Sequence, residues 1–251
     1  MGKKGLYGIV ALCLLMFSSC LGDPATSLTM ANQAGVVVTN VGPGKVIYVK
    51  GGEAVTSDSF QNANVEDGDC ILFDYSIDYG ATENVDGGSA VGYMTATIYE
   101  NTITEVGHWN IFSTLTDTAN VKANELTLSS LQARSAYIKG NLFLFTEIKN
   151  HDANQKDSFA LSYDPLQRLG VDQVYSLYLR TFSLEEQSQT NQTMIVPCAF
   201  DIEDFINAVS EKNGTDEIKF RINYASAFGK DSLSVVWKSS DIFTINLSEN
   251  K

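Results

Sequence analysis

Alternation of apolar and polar side chains is the first regularity along this chain. Between positions 71 and 79 the odd residues are Ile71, Phe73, Tyr75, Ile77 and Tyr79, while Asp74, Ser76 and Asp78 take the opposite phase. A period of two belongs to a strand with one buried and one wet face. The alternation recurs at Phe159, Leu161 and Tyr163 against Ser158 and Ser162, and at Tyr175, Leu177 and Leu179 against Ser176 and Arg180. Phe220, Ile222 and Tyr224 alternate with Lys219, Arg221 and Asn223 in the same way. Runs rich in β-branched and aromatic residues predict further strands at 36–39, 46–50, 91–99, 142–146, 194–200, 233–237 and 243–247. The pattern is that of an all-β protein. One helix interrupts it, in FDIEDFINAVSEKNG at 200–214. Asp201 can cap its first turn, Phe200 can staple to Phe205, and Asn213-Gly214 supplies the stop. Capping also accounts for Asp201, Glu203 and Asp204 at that end without a bound cation.

The strands fall into two groups. A boundary is expected between residues 106 and 121, where the stretch 114–124 is polar and lacks strand character. About 80 residues before it suit a small barrel, at 35–110, and about 130 after it suit a sandwich, at 120–251.

The first twenty residues, MGKKGLYGIVALCLLMFSSC, follow different rules. Two lysines precede an apolar run from position 5 to 17, then two serines and a cysteine. The run is shorter than the ~20 apolar residues of a spanning helix. It reads as a signal peptide, 1–19, removed before Cys20, whose thiol and amine then carry lipid. A multiply acylated cysteine anchors stably where one chain does not. Residues 20–34 are expected to be the lipidated cysteine and a flexible tether.

Charge removes some functions. The chain carries 30 acidic and 17 basic residues, −13. Loss of Lys3 and Lys4 with the signal leaves 15 basic residues and −15. Nucleic-acid binding needs clustered Lys and Arg, and residues 36–106 contain only Lys45 and Lys50. Of the cysteines that remain, Cys70 and Cys198 have no CxxC spacing and are expected as separate buried thiols rather than a disulfide.

Catalytic motifs are weak. His108 and His151 are the two histidines, with no nucleophile elbow for either. His151, in NHDANQKD, reads as a solvated turn residue, and His108 as packed or interfacial. VGPGK at 41–45 and DGD at 67–69 read as turns rather than a phosphate loop or a calcium loop. No metal, cofactor or enzymatic activity is expected. Acidic pairs for glycoside hydrolysis are too numerous to choose among. Most tyrosines fall on the apolar phase of their strands. Tyr48, Tyr79, Tyr99 and Trp109 are the candidates for an exposed, ligand-stacking surface.

Taken together, FSSC at 17–20, VEDGDCILFDYSIDYG at 65–80, SAVGYMTATIYENTITE at 89–105, QVYSLYLRTF, VPCAFDIEDFI and DEIKFRINYA resemble the NigD-like family of Bacteroidales lipoproteins. The resemblance implies an N-terminal OB-like barrel followed by an immunoglobulin-like β-sandwich, anchored by lipid to the outer membrane. It implies no catalytic residues. The tether CLGDPATS lacks the run of acids common after the lipidated cysteine of relatives, so periplasmic and surface-facing leaflets both stay open. The function expected is a non-enzymatic envelope protein that binds or assembles with an envelope protein or glycan. The alternative is a surface glycan-binding module in nutrient capture.

Overall fold

The computed structural model describes residues 26–42, 44–87, 92–132, 134–152, 154–185 and 192–249. The signal sequence, Cys20 and the start of the tether lie outside them. Among the described residues the chain is all-β with one α-helix, as its periodicity predicts.

The first sheet is a curled one. It comprises β1 (Ser27–Val41), β2 (Gly44–Val49), β3 (Ala54–Thr56), β4 (Cys70–Asp78), β5 (Met94–Thr95) and β6 (Thr97–Glu105), in the order β5-β3-β2-β1-β4-β6. β1 serves two neighbours: its first part pairs with β4 and its last part with β2. A register shift between Met30 and Gln33, with Asn32 at φ 52°, interrupts its pairing with β4. Gly35 sits where both pairings overlap, and a Cβ there would lie 2.4 Å from Ile47 Cγ2 and 2.9 Å from Phe73 Cε1. The absence of a side chain is therefore what lets the interior of Ile47, Phe60, Phe73, Tyr75 and Ile77 close. At the far end, buried Asn84 donates to the carbonyls of Asp78 and Thr95 and accepts from the Thr95 N–H.

Two sheets follow. One contains β10 (Ala136–Ile138), β11 (Asn141–Lys149), β14 (Thr193–Asp201) and β7 (His108–Asn110), with β9 (Leu128–Leu131) also on β11. The other contains β12 (Asp157–Tyr163), β13 (Tyr175–Ser183), β15 (Glu217–Phe228) and β16 (Val235–Ser239), with β8 (Glu125–Leu126) on β13 and β17 (Phe243–Asn246) on β15. Leu142, Leu144, Cys198 and Phe200 of the first share a core with Leu161, Leu177, Leu179, Phe220 and Ile222 of the second. Each such side chain contributes roughly 1.5–3 kcal/mol when fully buried. The pairs β13–β15 and β14–β7 are parallel. In these two pairs the second half departs from an immunoglobulin domain, whose sheets are antiparallel.

Helix α1 (Glu203–Asn213) adds Phe205, Ile206 and Val209 to this core. The Asp201 carboxylate accepts from the Glu203 N–H at 3.0 Å, and Gly214 ends the helix at φ 64°.

Several expectations are corrected here. β1 begins at Ser27, so 27–34 is strand rather than tether. Residues 108–110, expected in the barrel, pair with β14 in the second half because Val106 already closes the barrel's last strand against Cys70. Arg180, expected on a wet face, is 1% exposed. Its Nε and Nη2 donate to the two carboxylate oxygens of Glu125, itself buried, at 2.6 and 2.5 Å. Nη1 donates to Asp117 O and Nη2 to Asn120 O, so the polar stretch between the halves is pinned onto the sandwich. His151 is buried rather than solvated: its Nε2 lies 2.6 Å from Asp157 Oδ2. His108 is exposed on β7 rather than packed.

Candidate functional site

The barrel and the sandwich meet over a shared apolar seam. On β4 the odd residues fill the barrel, but Cys70 and Leu72 of the even phase are buried too. They pack with Val36 and Val106 against Ile138, Phe143, Phe145 and Ala199. On β11, Phe143 and Phe145 face this seam while Leu142 and Leu144 face the sandwich core. An uninterrupted LFLF run is the mark of a strand covered on both sides. Burial, with Asp69 and Asp201 nearby, pushes the Cys70 thiol up to about 12, and burial raises Cys198 as well. Both thiols are free, one in the seam and one in the sandwich core, as expected.

Around the seam runs a groove of three adjoining cavities. The central one, of 370 Å³, is lined by Lys50, Ser135, Ala136 and Tyr137 on one side and by residues 242–246 on the other. One neighbour, of 190 Å³, shares Tyr137 and adds Tyr48 and Lys139. The other, also of 190 Å³, shares Lys50, Ser135 and Ala136 and adds Asn32, Arg134 and Phe145. Among the described residues no aspartate or glutamate lines any of the three, in a chain with 30 acids.

Two of the three cations are held by rings. The Arg134 guanidinium carbon stands 4.0 Å over Phe145, and the Lys139 ammonium 4.1 Å over Tyr48. Each such contact is worth about 0.5–1 kcal/mol at an exposed site. In the amide orientation that satisfies its neighbours, Asn32 accepts from Arg134 Nη1 and Nη2 at 3.2 Å. Arg134 is thus oriented by neutral groups and keeps its full charge outward. The arrangement suits an anionic ligand.

The four aromatic candidates do not converge. Tyr79 and Tyr99 are exposed, 41% and 39%, as expected, but on opposite phases of the barrel sheet. Tyr99 shares its face with Ser76, whose hydroxyl lies 3.4 Å from its own. Tyr48 is half-buried in the seam, and Trp109 packs on Phe159 and Phe200, 5.2 and 6.1 Å between ring centres. Trp109 is therefore a core ring and not a stacking platform. The groove residues Arg134 and Lys139 carried no local sequence signal. Lys50 and Arg134 are far apart in the chain and meet only because β2 and the start of β10 face each other across the seam.

The fold of residues 26–105, with a long first strand shared between β2 and β4, is that of a partly open barrel. Residues 25–103 match the family model of the lipoprotein OB domain. Solved structures are similar in fold over most of the chain. An uncharacterised protein of Parabacteroides merdae is 21% identical with a TM-score of 0.75, over 88% of this chain and 99% of its own. A candidate lipoprotein of Bacteroides fragilis is 13% identical with a TM-score of 0.54, over 87% and 98%. A NigD-like immunity protein of Bacteroides caccae is 13% identical with a TM-score of 0.53, over 86% and 97%. At these identities the likeness is one of fold. It agrees with the NigD-like resemblance read from the motifs. No curated protein matches the chain significantly.

Proposed function

We propose that this chain is a lipid-anchored, non-enzymatic envelope protein that binds a partner in the groove between its lipoprotein OB domain and the sandwich. The observation that carries the reading is the groove itself: among the described residues it has three cations, two tyrosines and no acid, around a seam between the two halves. Chemistry is poorly provided for. His108 is exposed, and the His151 ring is committed to Asp157 inside the sandwich. The anchor is supported by the FSSC sequence and by the company of the OB domain; no helix among the described residues is long and apolar enough to cross a membrane.

The test has two arms. Cys20→Ala should abolish incorporation of labelled palmitate and move the protein from the membrane to the soluble fraction. Purification of the lipidated chain from its native envelope should bring down the same partner repeatedly, and Arg134→Glu should lose it. Lipid labelling that persists without Cys20, or a partner indifferent to Arg134, contradicts the reading.

A further inference from the structure

The walls of the groove are strand edges. Successive side chains of a strand point to opposite faces, so a wall made of consecutive residues is the strand's edge. The central cavity is lined by five consecutive residues, 242–246, and by three, 135–137. Among the described strands β17 pairs only with β15, and β10 only with β11. The phase of β17 is fixed by the Leu247 N–H, which donates to Asp216 O at 3.0 Å. Hydrogen-bonded pairs alternate along an antiparallel ladder, so they fall at Phe243 and Ile245, and the N–H and C=O of Thr244 point away from β15. On β10 the two-residue turn Lys139-Gly140, at φ 46° and 82°, makes Ile138 and Asn141 the closing bonded pair. The N–H and C=O of Tyr137 therefore point away from β11.

We propose that the groove receives an extended, acidic segment of a partner protein, added as a strand along these edges with its carboxylates at Lys50, Arg134 and Lys139. This rests on the binding reading above and names the ligand class. Outward N–H and C=O groups at an edge recognise another peptide backbone, which a saccharide does not present. Charge chooses the segment. Over most of its surface a chain of −13 repels an acidic partner, and here the described lining offers three cations and no carboxylate. Burial, and after it the acids Glu203 and Asp201 nearby, raise the Tyr137 hydroxyl to about 12. Asp201 is engaged with the Glu203 N–H at the helix start, and neither residue lines the groove. Side chains on one face of a strand recur at every second position, so the acids of the segment should alternate.

The experiment pans the full lipidated chain, in detergent micelles, against a random peptide library. Captured peptides should be enriched in Asp and Glu at alternate positions. Lys50→Glu combined with Arg134→Glu, both exposed and checked for native circular dichroism, should weaken them at least about tenfold, since a charge-assisted contact is worth ~1.5 kcal/mol or more. Amide exchange at Tyr137 and Thr244 should slow in the complex. A captured pool without acidic enrichment, or affinity unchanged in the double variant, overturns the proposal. So does saturable binding of polygalacturonate in place of peptides, which would make the ligand an acidic glycan. If peptides fail while the envelope partner still depends on Arg134, the acidic strand is discarded and the binding role stands. Failure of both discards both.

Discussion

Arg180→Met removes the one charge that ties the stretch between the two halves to the sandwich. The side chain leaves three groups without its donors, the buried Glu125 carboxylate and two backbone carbonyls. The Glu125 carboxylate loses both of its guanidinium donors, at 2.6 and 2.5 Å, and keeps only the Lys122 N–H at 2.9 Å. The carbonyls of Asp117 and Asn120 lose the N–H groups that cover them. Breaking a buried pair by removing one partner costs about 3–5 kcal/mol, because the remaining charge stays out of water. For a domain of this size that is a fall in melting temperature of roughly 6–20 °C. The indole N–H of Trp237 donates to Thr118 O at 2.7 Å, and its ring lies 6.0 Å from the Arg180 guanidinium, so tryptophan fluorescence during urea denaturation reads the same region. Adding Glu125→Gln neutralises the stranded charge while its amide oxygen can still accept from Lys122. About half of the loss should return. A single variant that costs under about 1 kcal/mol, or a double variant no better than the single, would refute the account of Arg180 as a clamp.

Other expectations follow from particular contacts. Gly35→Ala should cost at least about 1–3 kcal/mol in urea unfolding, because its new methyl overlaps Ile47 and Phe73 in a barrel already closed. Gly214→Ala forces a side chain into φ 64° at the helix stop and should cost about 1 kcal/mol by the same measurement. Stability should fall as pH rises above about 9. Cys70 is held near 12 when folded but titrates near its ordinary value when unfolded, so the unfolded state loses its proton first and is favoured. Tyr75 and Tyr137, both pushed up to about 12 by burial and neighbouring acids, add to the slope above pH 10. A urea midpoint that stays level from pH 8 to pH 11 would count against these burials. Below pH 9 neither Cys70 nor Cys198 should react with a thiol reagent until the chain is unfolded.

What was legible in the chain, and what was not, divides along a physical line. Period-two alternation is local, so β4, β12, β13 and β15 could be read directly, as could the helix with its Asp201 and Gly214 ends. The NigD-like motifs carried the order of barrel before sandwich. Local pattern has no access to what covers a second face. Cys70 and Leu72 sit in the polar phase of β4 and are buried because the sandwich stands against them. Arg180 shares the phase of Ser176 and is buried because a stretch more than fifty residues upstream supplies Glu125 and two carbonyls. His151 looked like a turn residue until Asp157 closed over it. The groove is the extreme case. Lys50, Arg134 and Lys139 are ordinary surface cations in sequence, and no spacing links them. They become a site only when β2 and β10 meet across the seam, where the absence of acids in an acidic protein first acquires a place. The sequence alone determined a β-rich chain and most of its strands; tertiary packing decided where its cations gather, because convergence of charge is a property of surfaces and not of neighbours along a backbone.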